Sequence, residues 1–276
     1  MGLRHRGIQI KSAEQIDAMR VAGRLVAQTL ELLRSAVRPG VTTAELDALA
    51  EEHIRGHGGI PSFKGYAHPP FPATICASVN DEVVHGIPGD RLLAAGDVVS
   101  LDCGAIVDGW HGDAAITVAV GDVRPEVATL MQVTEEALWA GIVAGRVGGR
   151  VGDISHAVER QVRSAGRYGI LEEYTGHGIG TEMHQPPDVP NVGRRGKGPT
   201  IVPGLALAIE PMVTLGDRRT AVAEDDWTVV TTDGSWAAHA EHTVTWTDDG
   251  IWVLTALDGG RERLAALGAP YAGRTD

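Results

Sequence analysis

The segment LDCGAIVDGWHGDAAITVAV, residues 101–120, decides the fold. Two apolar runs flank Asp108-Gly109, and Asp-Gly signals a two-residue hairpin turn because both central positions of that turn need positive φ. A turn of those two residues alone pairs Val107 with Trp110 and Gly104 with Asp113. Alternate residues of a strand share a face, so Asp102 lies diagonally across from Asp113 on the same side of the hairpin. Two carboxylates set in apolar strands repel each other and lose hydration unless something compensates them. A cation between them is the simplest compensation; a solvated face or a turn position is the plain alternative.

Upstream, Ser12 is placed to cap a helix over AEQIDAMRVAGRLVAQTLELLRSAV (13–37), which halts at Arg38-Pro39-Gly40. Thr42-x-x-Glu45 reads as a capping box ahead of a second helix to about Gly56. Strand patterns fill roughly residues 73–120, with turn signals at Asn80-Asp81, Pro88-Gly89-Asp90 and Asp108-Gly109. Helices return over about 125–144 and 153–165. Strands then dominate from about 171 to 255, through LALAIEPMV (205–213), DWTVVTT (226–232) and AHAEHTVTW (238–246). The order helices, strands, helices, strands predicts an α+β domain with helices on one face of a largely antiparallel sheet, and it hints at two related halves.

At 276 residues the chain is long enough to bury a core without disulfide staples. Its net charge of −12 argues against functions that need a cationic surface, nucleic-acid binding first among them. The short basic run Arg194-Arg195-Gly196-Lys197 reads as a solvated loop. Cys76 and Cys103 have no CxxC spacing and imply no disulfide framework. The opening MGLRHRGIQIKSAEQ has basic residues with no apolar run behind them, so no secretory signal is expected. No stretch approaches the roughly 18 apolar residues that span a bilayer. A soluble cytoplasmic protein is the expectation.

Three further pieces place acids or imidazoles among apolar or glycine-rich residues. TGHGIGTEMHQPP (175–187) contributes His177 and His184, with glycines flanking His177 that permit close backbone approach. In LALAIEPMV, Glu210 follows five uncharged residues, and a glutamate ending an apolar strand is destabilising without a partner. In AHAEHTVTW, strand alternation puts Glu241 on the face opposite Val244 and Trp246. Each piece alone has a plain structural reading. Together, four carboxylates (Asp102, Asp113, Glu210, Glu241) and one imidazole (His177) match a site for two divalent ions, with a charge of −4 against +4. Oxygen donors with one nitrogen suit divalent first-row metals and need no cysteine. Two such ions activate a water and polarise a carbonyl, so the implied chemistry is hydrolysis.

With these residues in view the chain resembles the type I methionine aminopeptidases, metallopeptidases of the pita-bread fold. The resemblance runs from about Ile10 to Leu254. It is carried by PSFKGY (61–66), ICASVNDEVVHGIP (75–88), LDCGAIVDGWHGD (101–113), GHGIGTEMHQPP (176–187), AIEPMV (208–213) and AEHTV (240–244). The resemblance implies two halves related by a pseudo-two-fold axis, a curved, mostly antiparallel sheet and helices on its outer face. It implies one catalytic domain over residues 10–256, between an N-terminal tail (1–9) and a C-terminal tail (257–276). Asp102, Asp113, His177, Glu210 and Glu241 match the family's metal ligands, with Asp113 and Glu241 as the bridging pair. Glu210 also matches the carboxylate that handles the proton of the attacking water. His85 matches the histidine that contacts the scissile amide, and His184 the one that holds the carbonyl oxygen as it becomes an oxyanion. Phe63, Tyr66, Cys76, Met183 and Trp227 fall where the family lines its methionine pocket. The implied cofactors are two divalent ions, with Co, Mn, Fe(II) and Zn all fitting. The implied partner is the N-terminal methionine of nascent polypeptides ahead of a small second residue. A monomer is implied too, in transient contact with the ribosome and with no specific nucleic acid or membrane.

The 31 positions from Glu210 to Glu241 leave no room for the insertion that marks type II enzymes, and no zinc-binding or proline-rich extension is expected ahead of the domain. Where the family commonly reads GYHGFPAS, this chain reads GYAHPPFPAT, two residues longer, which leaves a pocket role for His68 or Phe71 open. Cys103 is expected in the core, facing away from Asp102. His111 and His242 are also expected to face away from the ligands, and His239 to share the face of Glu241. Two alternatives use the same fold: an X-Pro aminopeptidase or dipeptidase, and a metal-free binding protein or amidinohydrolase. The second should have lost some of the five ligands, and all are present.

Overall fold

A computed structural model describes residues 7–274; the expected tails fall partly outside that range, at residues 1–6 and 275–276. The first half holds α1 (Ala13–Ala36), α2 (Thr43–Gly56), β1 (Ile60–Pro61), β2 (Ile75–Val79), β3 (Glu82–Val84), β4 (Val98–Val107) and β5 (Trp110–Ala119). The second holds α3 (Pro125–Ala144), α4 (Val151–Ala165), β6 (Gly169–Ile170), β7 (Gly176–Gly178), β8 (Gln185–Val189), β9 (Ala206–Ile209), β10 (Met212–Thr214), β11 (Thr220–Val222), β12 (Val229–Thr231), β13 (Ala237–His239), β14 (Glu241–Thr247), β15 (Gly250–Val253) and α5 (Arg261–Ala266). Both expected capping boxes are formed: Ser12 with Gln15 opens α1, and Thr42 with Glu45 opens α2.

The central sheet has nine strands in the order β1-β4-β5-β14-β9-β7-β8, with β2 added to β4 and β15 to β14, and its pairings are antiparallel. Two three-stranded sheets, β13-β10-β6 and β11-β12-β3, flank it. Each half opens with a helix pair and builds its own core. Leu25, Leu30, Leu33 and Leu46 from α1 and α2 close over Ile75, Leu101 and Cys103, so Cys103 sits in the core as expected. Leu138, Ile142, Ile154 and Val158 from α3 and α4 close over Leu207, Ile209, Val244 and Trp246. Burial of this kind is the main stabilising contribution, about 25 cal/mol per Å² of apolar surface.

The 101–120 hairpin has the expected register, with Val107 opposite Trp110, Gly104 opposite Asp113 and Asp102 opposite Ala115. Asp108 and Gly109 carry φ of 49° and 80°, the positive pair that this turn demands. Gly112 lets β5 lie directly on α1, because a Cβ there would come within 2.7 Å of the Gly23 nitrogen.

Three expected strands are broken. LALAIEPMV divides at Glu210-Pro211 into β9 and β10, and AHAEHTVTW divides at Ala240 into β13 and β14, so both segments pass from one sheet to another. In DWTVVTT only Val229–Thr231 is strand, because the Asp225 carboxylate accepts from the Trp227 and Thr228 amides and holds a turn ahead of it. The C-terminal segment differs from the tail expected at 257–276. Leu264 of α5 is fully buried, Tyr271 bridges to Ile251, and Arg274 Nη1 lies 2.6 Å from Asp17 Oδ2. Among the described residues no helix is long and apolar enough to cross a membrane.

Candidate active site and metal centre

The two strand breaks bring the acids together. At Glu210 and Ala240 the chain crosses the seam between sheets, and the Ala240 amide donates to the Pro211 carbonyl, tying the crossings to each other. Glu210 therefore leaves the sheet beside Glu241, while β14 pairs with β5 so that Glu241 stands opposite Ala115, two residues from Asp113. Asp102, Asp113, His177, Glu210 and Glu241 all line one cavity of about 290 Å³. The structure thus gathers the five ligand candidates from β4, β5, β7, β14 and the seam after β9.

The chemistry of the cluster calls for cations. Asp102 Oδ1, Asp113 Oδ1 and Glu241 Oε1 are buried oxygens without a hydrogen-bond partner, each destabilising by about 1–3 kcal/mol if left so. Among the described residues, no lysine or arginine lines the cavity. Burial pushes the Asp102 carboxyl up to about 7. Burial and the neighbouring carboxylates push Asp113, Glu210 and Glu241 well above the ordinary carboxylate range. Acids raised in this way release their protons when divalent ions replace them.

His177 is prepared for the same task. Its Nδ1 lies 3.0 Å from the Gly178 carbonyl, which only accepts, so Nδ1 carries the proton. Nε2 is left as a lone pair, 3.6 Å from Glu210 Oε1, and burial holds the ring neutral with its pKa lowered to about 3. A proton fixed on one nitrogen by a backbone carbonyl is the usual arrangement of a metal-ligating histidine. One donor atom from each of Asp113, His177 and Glu241 lies within 4.8 Å of the other two. Glu210, His239 and Glu241 form a second such set, with His239 Nε2 buried, unpartnered and 3.7 Å from Glu210 Oε2. His239 keeps this aim although its strand ends there, because Thr117 both accepts from its amide and donates to its carbonyl.

Two more histidines reach the cavity. His85 has φ of 60°, a conformation unfavourable for a residue with a Cβ, and such outliers gather at functional sites. Its ring packs edge-on against Tyr174 and Trp227, and burial lowers its pKa to about 4. The His184 ring stands edge-to-face on His177 at 4.3 Å, with its Nδ1 2.6 Å from the Tyr66 hydroxyl. His111 corrects the expectation that it faces away. It lies two residues from Asp113 on β5 and so shares that face, with its Nδ1 3.0 Å from Ser62 Oγ. His242 does face away, bonded to Thr255 and packed on Trp139.

Phe63, Cys76 and Met183 form one buried apolar cluster with Phe71 and Ala73, and Trp227 packs against it. Tyr66 stands apart at the cavity's edge, 37% exposed. The lengthened loop puts Phe71 and His68 in different surroundings. The Gly65 amide donates to the Phe71 carbonyl and the Phe71 amide to the Tyr66 carbonyl, closing the loop at its base. Residues 67–70 project into solvent, His68 with them, while Phe71 is 3% exposed and edge-on to Trp227 at 5.1 Å. Tyr174 lines the cavity without any signal in the sequence, since GILEEY carries no pattern that separates it from a surface segment.

Four carboxylates gathered with no lysine or arginine among the described residues lining their cavity point to a cation site, and an apolar cluster lies beside them. The chain belongs to metallopeptidase family M24, whose model matches residues 17–248. Within that family its similarity is to methionine aminopeptidases. It is 51% identical over 252 residues to the methionine aminopeptidase of Clostridium acetobutylicum, covering 91% of this chain and 100% of that one. It is 52% identical over 251 residues to methionine aminopeptidase 1 of Mycobacterium tuberculosis, covering 89% and 94% respectively. The crystal structure of the methionine aminopeptidase of Thermotoga maritima matches the fold with a TM-score of 0.88 at 42% identity, over 90% of this chain and 99% of that one. The fold is the pita-bread fold of those enzymes, and the chain is a metal-dependent exopeptidase.

Proposed function

We propose that the protein removes the N-terminal methionine from polypeptides whose second residue is small. The observation that carries this reading is the apolar cluster of Phe63, Phe71, Cys76, Met183 and Trp227 set directly beside the buried carboxylates. Asp102, Asp113, His177, Glu210 and Glu241 would hold two divalent ions, and Co, Mn, Fe(II) and Zn would all suit the donor set. When bound, the ions supply Lewis-acid polarisation of the scissile carbonyl and a water made acidic enough to attack it. Glu210, as a carboxylate, takes the proton of the attacking water and returns it to the leaving amine. His184 donates a hydrogen bond to the carbonyl oxygen as charge builds there. His85 contacts the scissile amide, its ring fixed by Tyr174 and Trp227. The protein works as a cytoplasmic monomer in transient contact with the ribosome, with no specific nucleic acid and no membrane.

Methionine suits this lining because it is unbranched, and its thioether gains about 0.3–1.5 kcal/mol against an aromatic ring. A branched side chain overpacks a slot of fixed shape, which discriminates by about 1–3 kcal/mol or roughly 10- to 200-fold. Met-Ala-Ser is therefore cleaved well, Leu-Ala-Ser at least about tenfold less efficiently in kcat/KM, and Met-Lys-Ser barely. Equal kcat/KM for the methionine and leucine peptides overturns the pocket assignment, and preferential cleavage of Xaa-Pro peptides overturns the function itself.

His85→Ala and His184→Ala are each expected to lower kcat by about 10²–10³, the usual effect of losing one donor to the reacting amide or to its developing oxyanion. Both variants keep the full metal complement, measured by elemental analysis of the dialysed protein. Loss of an ion in either one makes that histidine a ligand.

A further inference from the structure

Tyr66 was expected in the methionine pocket, yet it is not in the apolar cluster. Its hydroxyl is instead the partner of His184, 2.6 Å from Nδ1. The two rings lie 5.2 Å apart and tilted, and the His184 ring is wedged between Tyr66 and His177. The Tyr66 backbone is pinned on both sides, its amide donating to the Phe63 carbonyl and its carbonyl accepting from the Phe71 amide. The hydroxyl is thus carried on a closed loop base, while the lengthened part of the loop projects away.

We infer that Tyr66 is a positioning residue: its hydroxyl donates to His184 Nδ1 and so fixes the proton of the neutral imidazole on Nε2, making Nε2–H the donor that faces the substrate carbonyl. This rests on the reading of His184 as the oxyanion donor. The direction of the bond follows from acidity. A phenol gives up a hydrogen-bonding proton far more readily than a neutral imidazole N–H, so between the two the hydroxyl donates and the ring nitrogen accepts. Reversal would leave a lone pair on Nε2 pointing at the developing oxyanion, which repels it. The arrangement mirrors His177, where the Gly178 carbonyl holds the proton on Nδ1 and frees Nε2 as a lone pair. Two touching imidazoles are thereby held in opposite tautomers by their outer partners, one as a metal ligand and the other as a donor. Tautomer and ring orientation set through the far nitrogen are a general device of functional histidines.

The test is ¹⁵N NMR of the zinc-loaded, histidine-labelled protein, wild type and Tyr66→Phe, alongside steady-state kinetics with Met-Ala-Ser. In the wild type, His184 is expected to show protonated Nε2 and unprotonated Nδ1; in Tyr66→Phe the tautomers mix. Phenylalanine keeps the ring, so KM and the preference for methionine over leucine stay within about twofold, while kcat falls about tenfold, the loss expected of one misdirected hydrogen bond. A proton on Nδ1 in the wild type overturns the proposal, as does a kcat for Tyr66→Phe within twofold of wild type. The two readings are separable. If His184→Ala retains turnover, the oxyanion role of His184 falls, and the NMR result still decides whether Tyr66 sets its tautomer.

Discussion

Glu210→Gln is expected to lower kcat for Met-Ala-Ser by at least about 10³ while the protein stays folded. The substitution preserves shape and removes two things at once, a ligand charge and the carboxylate proposed to accept the proton of the attacking water. Folding survives for an electrostatic reason. Glu210 is buried near Asp102, Asp113 and Glu241, and burial first, then neighbouring carboxylates, raises these carboxyls. A neutral amide relieves that repulsion, so the metal-free variant should melt higher than metal-free wild type at pH 8. The backbone at this position is held independently of the side chain, since the Asn191 amide donates to the Glu210 carbonyl. More than about a tenth of wild-type turnover in Glu210→Gln, at saturating metal, removes Glu210 from the proton-transfer role.

The central hairpin and its two aspartates were legible because Asp-Gly fixes the turn and the two-residue strand period fixes the rest. Both capping boxes were legible for a similar reason, each being a local pattern with one physical cause. The seam was not. Read by alternation, LALAIEPMV and AHAEHTVTW are each one continuous strand, and nothing local marks Ala240 as a crossing between sheets. The crossing is set by the two sheets it joins and by the Ala240 amide bonded to the Pro211 carbonyl, a tertiary demand that overrides strand propensity. The misplacement of His111 was avoidable, since two residues along a strand always share a face. Phe71 was hidden by the length of its loop. Only the backbone bonds that close residues 65–71 reveal that the added length leaves the pocket wall in place. Tyr66 lines the cavity outside the apolar cluster, and its bond to His184 was not legible, because a hydroxyl's partner 118 positions away leaves no trace in its own neighbourhood.

Removal of the metals by a chelator is expected to abolish turnover and to lower the melting temperature by roughly 5–10 °C near pH 8, with a smaller drop near pH 6.5. The size follows from mass action: ions at a hundred times their Kd stabilise the native state by about 2.7 kcal/mol, and each kcal/mol moves a protein of this size by about 2–4 °C. The pH dependence follows from the carboxyls. In the unfolded chain they ionise near pH 4, whereas in the metal-free native state burial raises Asp102 to about 7, and burial first and then neighbouring carboxylates raise Asp113, Glu210 and Glu241 well above their ordinary range. Between those values the native state holds protons that the unfolded state has released. Its stability is therefore present in full below about pH 4 and is lost as pH rises through the folded values. The buried imidazoles act in the opposite sense and in a lower window. His177 and His239 are lowered to about 3 and His85 to about 4, so their contribution is lost as pH falls below the unfolded value near 6.5. Above about pH 6.5 these imidazoles are largely neutral in both states, and the carboxylates set the slope. With the ions bound, the same carboxylates are already deprotonated and paired, so the loaded protein lacks this fall. Thermal melts of loaded and chelated protein across pH 6.5–8.5 should therefore diverge as pH rises. Curves that coincide, or that run parallel throughout, would show that the four carboxylates are not held together in the folded chain before the metals arrive.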